Sequence, residues 1–177
     1  MNNRFPLLKV VLAFMLSFVG QLSFADGILV FQVTDTRNKP LEGVKIKLSG
    51  DSTIADLEFK TDELGRYTNP KFKTGTYDYE VVFGDWAKGS ITVPEENFGW
   101  ANINFRELII SFKDDNGVAT AGRTVKLYVD NKGEKGEFIK TKISDSTGLV
   151  RYVIPEGKYI YETIRNVQKV TVDDKVK

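Results

Sequence analysis

The chain has 177 residues, 25 basic and 24 acidic, with no cysteine and no histidine. Without cysteine there is no disulfide framework and no thiolate metal site, and without histidine the commonest general base and transition-metal ligand are gone. A formal charge of +1, with lysine and aspartate interspersed, gives no electrostatic motive for binding nucleic acid or an anionic membrane.

The chain opens with Arg4 and Lys9, then a weakly polar to apolar run from Val10 to Val19. Ser23-Phe24-Ala25 puts small residues three and one before a cut that leaves Asp26 first. This is the pattern of a cleaved secretory signal over residues 1–25, with an apolar run short for a permanent bilayer helix. Its removal takes two of the basic residues and no acid, so the mature balance is −1. No later segment approaches the apolar length of a membrane span, and none is expected in the mature chain.

From Asp26 onward the period is two, which predicts strands. Leu29, Phe31 and Val33 alternate with Val30, Gln32 and Thr34, and the turn formers Arg37-Asn38-Lys39-Pro40 follow. Val44, Ile46 and Leu48 alternate with Lys45 and Lys47. A turn at Asp62 to Gly65 leads on to Tyr77, Tyr79, Val81 and Phe83 on one face, then Ile91 and Val93, then Ala101, Ile103 and Phe105. The second half shows Val125, Leu127 and Val129, then Tyr159 and Tyr161, then Val170 and Val172, with turns at Asp115-Asn116-Gly117 and Pro155-Glu156-Gly157. No amphipathic helix of ten residues interrupts these short strands, so an all-β antiparallel sandwich is expected.

The two halves also align. Val33 to Leu48 lies over Phe112 to Leu127 at an offset of 79, Thr61-Asp62…Gly65 over Ser144-Asp145…Gly148 at 83, and Gly75-Thr76-Tyr77 over Gly157-Lys158-Tyr159 at 82. Three blocks in one order, with indels in loops, read as two copies of one domain at 26–106 and 107–177. No flexible linker separates them, so the last strand of the first is expected to run almost directly into the first strand of the second.

The order strand, Asp35, Pro40-Leu41-Glu42-Gly43-Val44, strand, Thr61-Asp62…Gly65-Arg66-Tyr67, Gly75-Thr76-Tyr77 resembles the carboxypeptidase-regulatory-like, transthyretin-like sandwich family. The second copy departs, with Thr120-Ala121-Gly122 in place of Leu41-Glu42-Gly43. The resemblance implies Ig-like Greek-key sandwiches in exported proteins of the bacterial periplasm or outer surface. It implies no single function.

After Val93 the first copy has a further strand, whereas Val172 is followed only by Asp173-Asp174-Lys175-Val176-Lys177. The second domain is therefore expected to lack its last strand. Its edge, at Val170, Val172, Asp173 and Asp174, is either blunted by charge or completed by a partner's strand.

Other candidates are few. Trp86 in a hairpin tip, with Phe98 and Trp100 ahead of a strand, could stack on sugar rings or could cover the ends of the core. Lys113 and Glu162 resemble the residue types that form isopeptide bonds in collagen-adhesin-type domains, but alternation turns both toward solvent. Asp114-Asp115-Asn116-Gly117 is ordinary turn chemistry and matches no complete calcium loop. No nucleophile motif or phosphate-cradling loop occurs, so no catalytic, cofactor or metal residue is assigned. The function read from the sequence is a non-enzymatic, exported structural or assembly module with an envelope or surface protein as partner. The alternative is a carbohydrate- or small-ligand-binding module using Trp86, Phe98 and Trp100.

Overall fold

The computed structural model describes residues 26–50, 56–164 and 166–172. The signal expected at 1–25 and the tail residues Asp173 and Asp174 lie outside them. The fold is all-β. Six strands come first: β1 (Asp26–Thr34), β2 (Lys45–Ser49), β3 (Leu57–Lys60), β4 (Arg66–Lys73), β5 (Gly75–Val82) and β6 (Lys88–Val93). A long strand β7 (Phe98–Ser111) follows, then β8 (Thr124–Asn131), β9 (Glu134–Ile143), β10 (Leu149–Pro155), β11 (Gly157–Glu162) and β12 (Val167–Val172).

These strands form three four-stranded sheets, ordered β3-β2-β5-β6, β10-β7-β1-β4 and β12-β11-β8-β9. All pairings are antiparallel except β1 with β7, which run parallel from Ile28 opposite Phe98 to Thr34 opposite Asn104. The first and third sheets pack against the second to enclose two apolar clusters. One gathers Leu29, Phe31, Ile46, Leu48, Ile103 and Phe105, and the other Leu108, Val125, Leu127, Tyr152, Ile154 and Tyr159.

β7 belongs to both. Gly99, Ala101, Ile103 and Phe105 are buried in its first part, and Leu108 and Ile110 in its second. Side chains alternate across a strand, so the change from odd to even numbers puts the two cores on opposite faces of one continuous strand. The switch occupies Arg106 and Glu107. A division at 106/107 thus falls inside a strand, and the middle sheet is shared.

The aligned blocks adopt matching local geometry. Asp35 Oδ1 accepts the N–H groups of Arg37 and Lys39, and Asp114 Oδ1 those of Asn116 and Val118. Thr61 Oγ1 accepts Val44 N–H and donates to Leu41 C=O, as Ser144 Oγ does with Arg123 N–H and Thr120 C=O. Tyr77 Oη donates to Lys73 C=O, and Tyr159 Oη to Pro155 C=O. In each block these hydroxyls satisfy backbone groups where strand hydrogen bonding ends.

β9 departs from the sequence reading, which assigned no strand there. Half of its ten residues are charged, so alternation is hard to see, yet it pairs with β8 as a long hairpin. The turn is Lys132-Gly133, both at positive φ, a geometry that matches strand twist and that glycine adopts freely.

Candidate functional site

The loop between β5 and β6 fastens the two cores together. Phe83 packs edge-on against Phe105, their centroids 4.8 Å apart. Asp85 then meets the outer edge of β10. Its N–H donates to Val153 C=O at 2.7 Å, and its Oδ2 accepts Val153 N–H at 2.8 Å. The carboxylate also pairs with Lys142 at 2.7 Å and Lys140 at 3.2 Å, both from β9, and is only 8% exposed. Lys142 Nζ donates in addition to Arg151 C=O. Burial works to raise the Asp85 carboxyl, but Lys142, the Val153 N–H and Lys140 outweigh it and hold the group below its usual range.

Gly84 makes this approach possible. Its φ is +67°, and a Cβ there would lie 2.5 Å from Val153 O. A second link joins Arg106 Nη2 to Glu156 Oε1 at 2.5 Å, and a third Lys88 to Glu137 at 3.0 Å. The sequence shows Gly84-Asp85-Trp86 as a turn; only the long-range contact with β10 reveals a clasp.

Trp86 is half-buried in this loop and packs against the second cluster. It borders a cleft of about 870 Å³ between the first sheet and the β8–β9 hairpin, and a smaller one of about 400 Å³ beside the β10–β11 turn. Phe98 and Trp100 line neither cleft. They stand on β7 itself rather than in a loop, 57% and 48% exposed on the face away from the first core. The structure therefore does not bring the three aromatics into one site, and Trp100 caps no core.

β12 is the edge strand of its sheet, with Val172 buried and Val170 partly so. A different flank, in the shared sheet, stands open among the described residues. Glu156 N–H donates to Asn104 C=O, so alternation sends the backbone groups of even-numbered β7 residues toward β10. Those of Glu107, Ile109 and Ser111 point the other way, where no strand pairs with them among the described residues. In the first lobe the corresponding strand, β1, is flanked on both sides by β4 and β7.

Lys113 is exposed, and Glu162 pairs with Lys135 at 2.9 Å and accepts from Tyr128. Both face outward, as the alternation predicts. Among the described residues no group of three or more acids could hold a metal ion, and no helix is long and apolar enough to cross a membrane.

The fold and these contacts define the class: an all-β sandwich protein whose two cores share a strand. No family model matches the sequence, and no curated protein does. Solved structures with some likeness include the Bacillus anthracis TIE protein, at 15% identity and a TM-score of 0.41, over 84% of this chain and 32% of that one. A streptococcal ancillary pilin stands at 13% and 0.38, over 87% and 61%. GBS52, the minor pilin of Streptococcus agalactiae, stands at 16% and 0.39, over 84% and 91%. The chain thus spans about a third of the first and three fifths of the second. Similarity at this level carries no argument about function, and the class rests on the strands and cores above.

Proposed function

We propose that this is an exported, non-enzymatic structural module of the cell envelope, which assembles with a surface or envelope protein by accepting a strand along β7. The observation that carries the reading is the flank at Glu107–Ser111, which no strand among the described residues covers. The other edge of the same small sheet is covered: Asp85 satisfies Val153, and Lys142 caps Arg151 C=O. An open row of backbone donors and acceptors is a template for another strand, and natural sheets usually blunt such rows with charge, proline or cover. Here the central outward residue is Ile109, 44% exposed and apolar. The sequence reading put the open edge at β12, which is an edge strand as well; the apolar outward residue Ile109 supports β7 as the accepting strand. The clasp adds stiffness, which suits a load-bearing or positioning role.

The test is capture from the native envelope in mild detergent with wild type, Ile109→Pro and Ile109→Lys. Proline removes an N–H on the open flank and leaves the even-numbered ladder to β10 intact. A stoichiometric partner held by wild type and lost with both variants is the expected result. Wild type emerging alone, or equal capture by folded variants, overturns strand addition at this edge.

A further inference from the structure

The outward face of β7 and β1 differs from the rest of the surface. Four parallel-paired couples stand on it: Phe98 with Ile28, Trp100 with Val30, Asn102 with Gln32, and Asn104 with Thr34. None of these eight side chains is ionisable, in a chain with 28% charged residues. The outward face of the first sheet is the opposite, laced with ion pairs such as Lys45–Glu58 and Lys47–Glu80.

The aromatic part of this face is held in place. Trp100 Nε1 donates to Asn102 Oδ1 at 2.8 Å, which fixes the indole's orientation. Val30 stands beside it between Trp100 and Thr68 and is only 4% exposed, although it belongs to neither core. An outward valine so covered means that the apolar floor under the platform is already filled. Gln32 is likewise tethered, accepting from Arg66 Nε at 2.6 Å and donating to Leu64 C=O. Asn104 Oδ1 accepts from Thr34 Oγ1. The Asn102 Nδ2 has no partner among the described residues. Along β7 the order is aromatic, aromatic, amide, amide, at about 7 Å intervals.

We propose that this face binds a neutral polysaccharide, laid along β7 with pyranose rings on Phe98 and Trp100 and hydroxyls on the amides of Asn102 and its neighbours. Two exposed aromatics, of which Trp100 is held in orientation by Asn102, supply flat apolar contact at little entropic cost, and sugar rings present matching C–H faces. Amides both donate and accept, as hydroxyls do, and bind without a charge to desolvate. Charges of both signs stand at its rim, Arg66 on one side and Glu156 with Lys158 beside Asn104 on the other, so an anionic polymer finds no uniformly basic surface. A protein partner would be expected to meet ion-pairing groups, and the eight side chains of the face offer none. The proposal stands apart from strand addition, since it uses side chains of the first lobe rather than backbone of the second.

The experiment is affinity electrophoresis of the full mature chain through gels containing a β-1,4-glucan, a β-1,3-glucan, a mannan, a xylan or, as anionic comparison, polygalacturonate. Retardation by at least one neutral polymer is expected, weakened at least tenfold in Trp100→Ala and Phe98→Ala, and less in Asn102→Ala. In a Trp86→Phe background, emission comes from Trp100 alone, and it should shift on binding. Circular dichroism and unfolding midpoints confirm that the variants fold; both aromatics are exposed, so little change is expected. The proposal is overturned if no neutral polymer retards the protein, if polygalacturonate retards it most, or if folded Trp100→Ala and Phe98→Ala bind as wild type does. It is equally overturned if sedimentation shows a dimer that Trp100→Ala converts to monomer, for then a second copy occupies the face.

Discussion

Single side chains hold the loops of this protein in register. Thr61 and Ser144 are both 4% exposed, and each hydroxyl closes two backbone groups where strand pairing ends. Replacing Thr61 by Val keeps the shape and strands a buried N–H and C=O. We expect a loss of about 1–3 kcal/mol by urea unfolding, with a smaller loss for Ser144→Ala, which leaves room for water. Gly84 is under a different constraint, because both its positive φ and its distance from Val153 O exclude a Cβ. Gly84→Ala is expected to cost about 1–3 kcal/mol, whereas Gly117→Ala, at positive φ but with open space around it, should cost less. Equal losses at the two glycines would mean that backbone strain alone matters and the close approach does not.

Among the elements, the β5–β6 loop and β7 do most to set the shape. Asp85 sits below its usual carboxyl value in the folded chain. A group whose pKa is lowered by folding contributes in full above its unfolded value, here near 3.8, and the contribution is lost as pH falls through the folded value. The clasp should therefore hold at neutral pH and weaken only below about pH 3.8. Asp85→Asn is expected to cost about 1–3 kcal/mol at pH 7 and nothing further in acid, which flattens the acid limb of the stability profile. An unchanged acid limb in the variant would show that other carboxylates govern it. The alternation of β7 gives a sharper test. Inserting one alanine between Arg106 and Glu107 turns Leu108 and Ile110 away from the second core, while inserting two restores their face. Near-ultraviolet dichroism and hydrogen exchange should show the second core lost with one added residue and retained with two.

For the molecule as a whole, the shared strand predicts cooperative behaviour. Phe105 and Leu108 serve different cores three residues apart on one strand, and Asp85 ties the first lobe to β10. Wild type should unfold in one transition by both tryptophan emission and far-ultraviolet dichroism. Phe105→Ala, costing about 3–5 kcal/mol, should lower the stability of both lobes together. Two separated transitions in wild type would show that neither β7 nor the clasp couples them.

Much of this was written in the chain itself. Alternating residues such as Val44, Ile46 and Leu48 declare half-buried strands, because a pleated backbone turns successive side chains to opposite faces. The matched aspartate turns fix loops locally, since an Asx side chain bonds to backbone only two to four residues on. Even the change of face on β7 is legible in the three-residue step from Phe105 to Leu108. The strand β9 was hidden, because its charged outward residues mask a sparse apolar set of which Ile139 packs on the core. The features on which the proposals rest depend on neighbours far away in sequence. Asp85 becomes a clasp only because β10 passes beside it, 68 residues on. Phe98 and Trp100 become a platform only because β1 lies parallel to β7 and sets Ile28, Val30, Gln32 and Thr34 next to them. Sequence alone settled the alternation, the turns and the absence of histidine and cysteine chemistry, all properties of local spacing and composition. Tertiary structure decided which strand is shared, which flank has no described strand beside it and which aromatics stand together, because those follow from pairing between segments that no local pattern specifies.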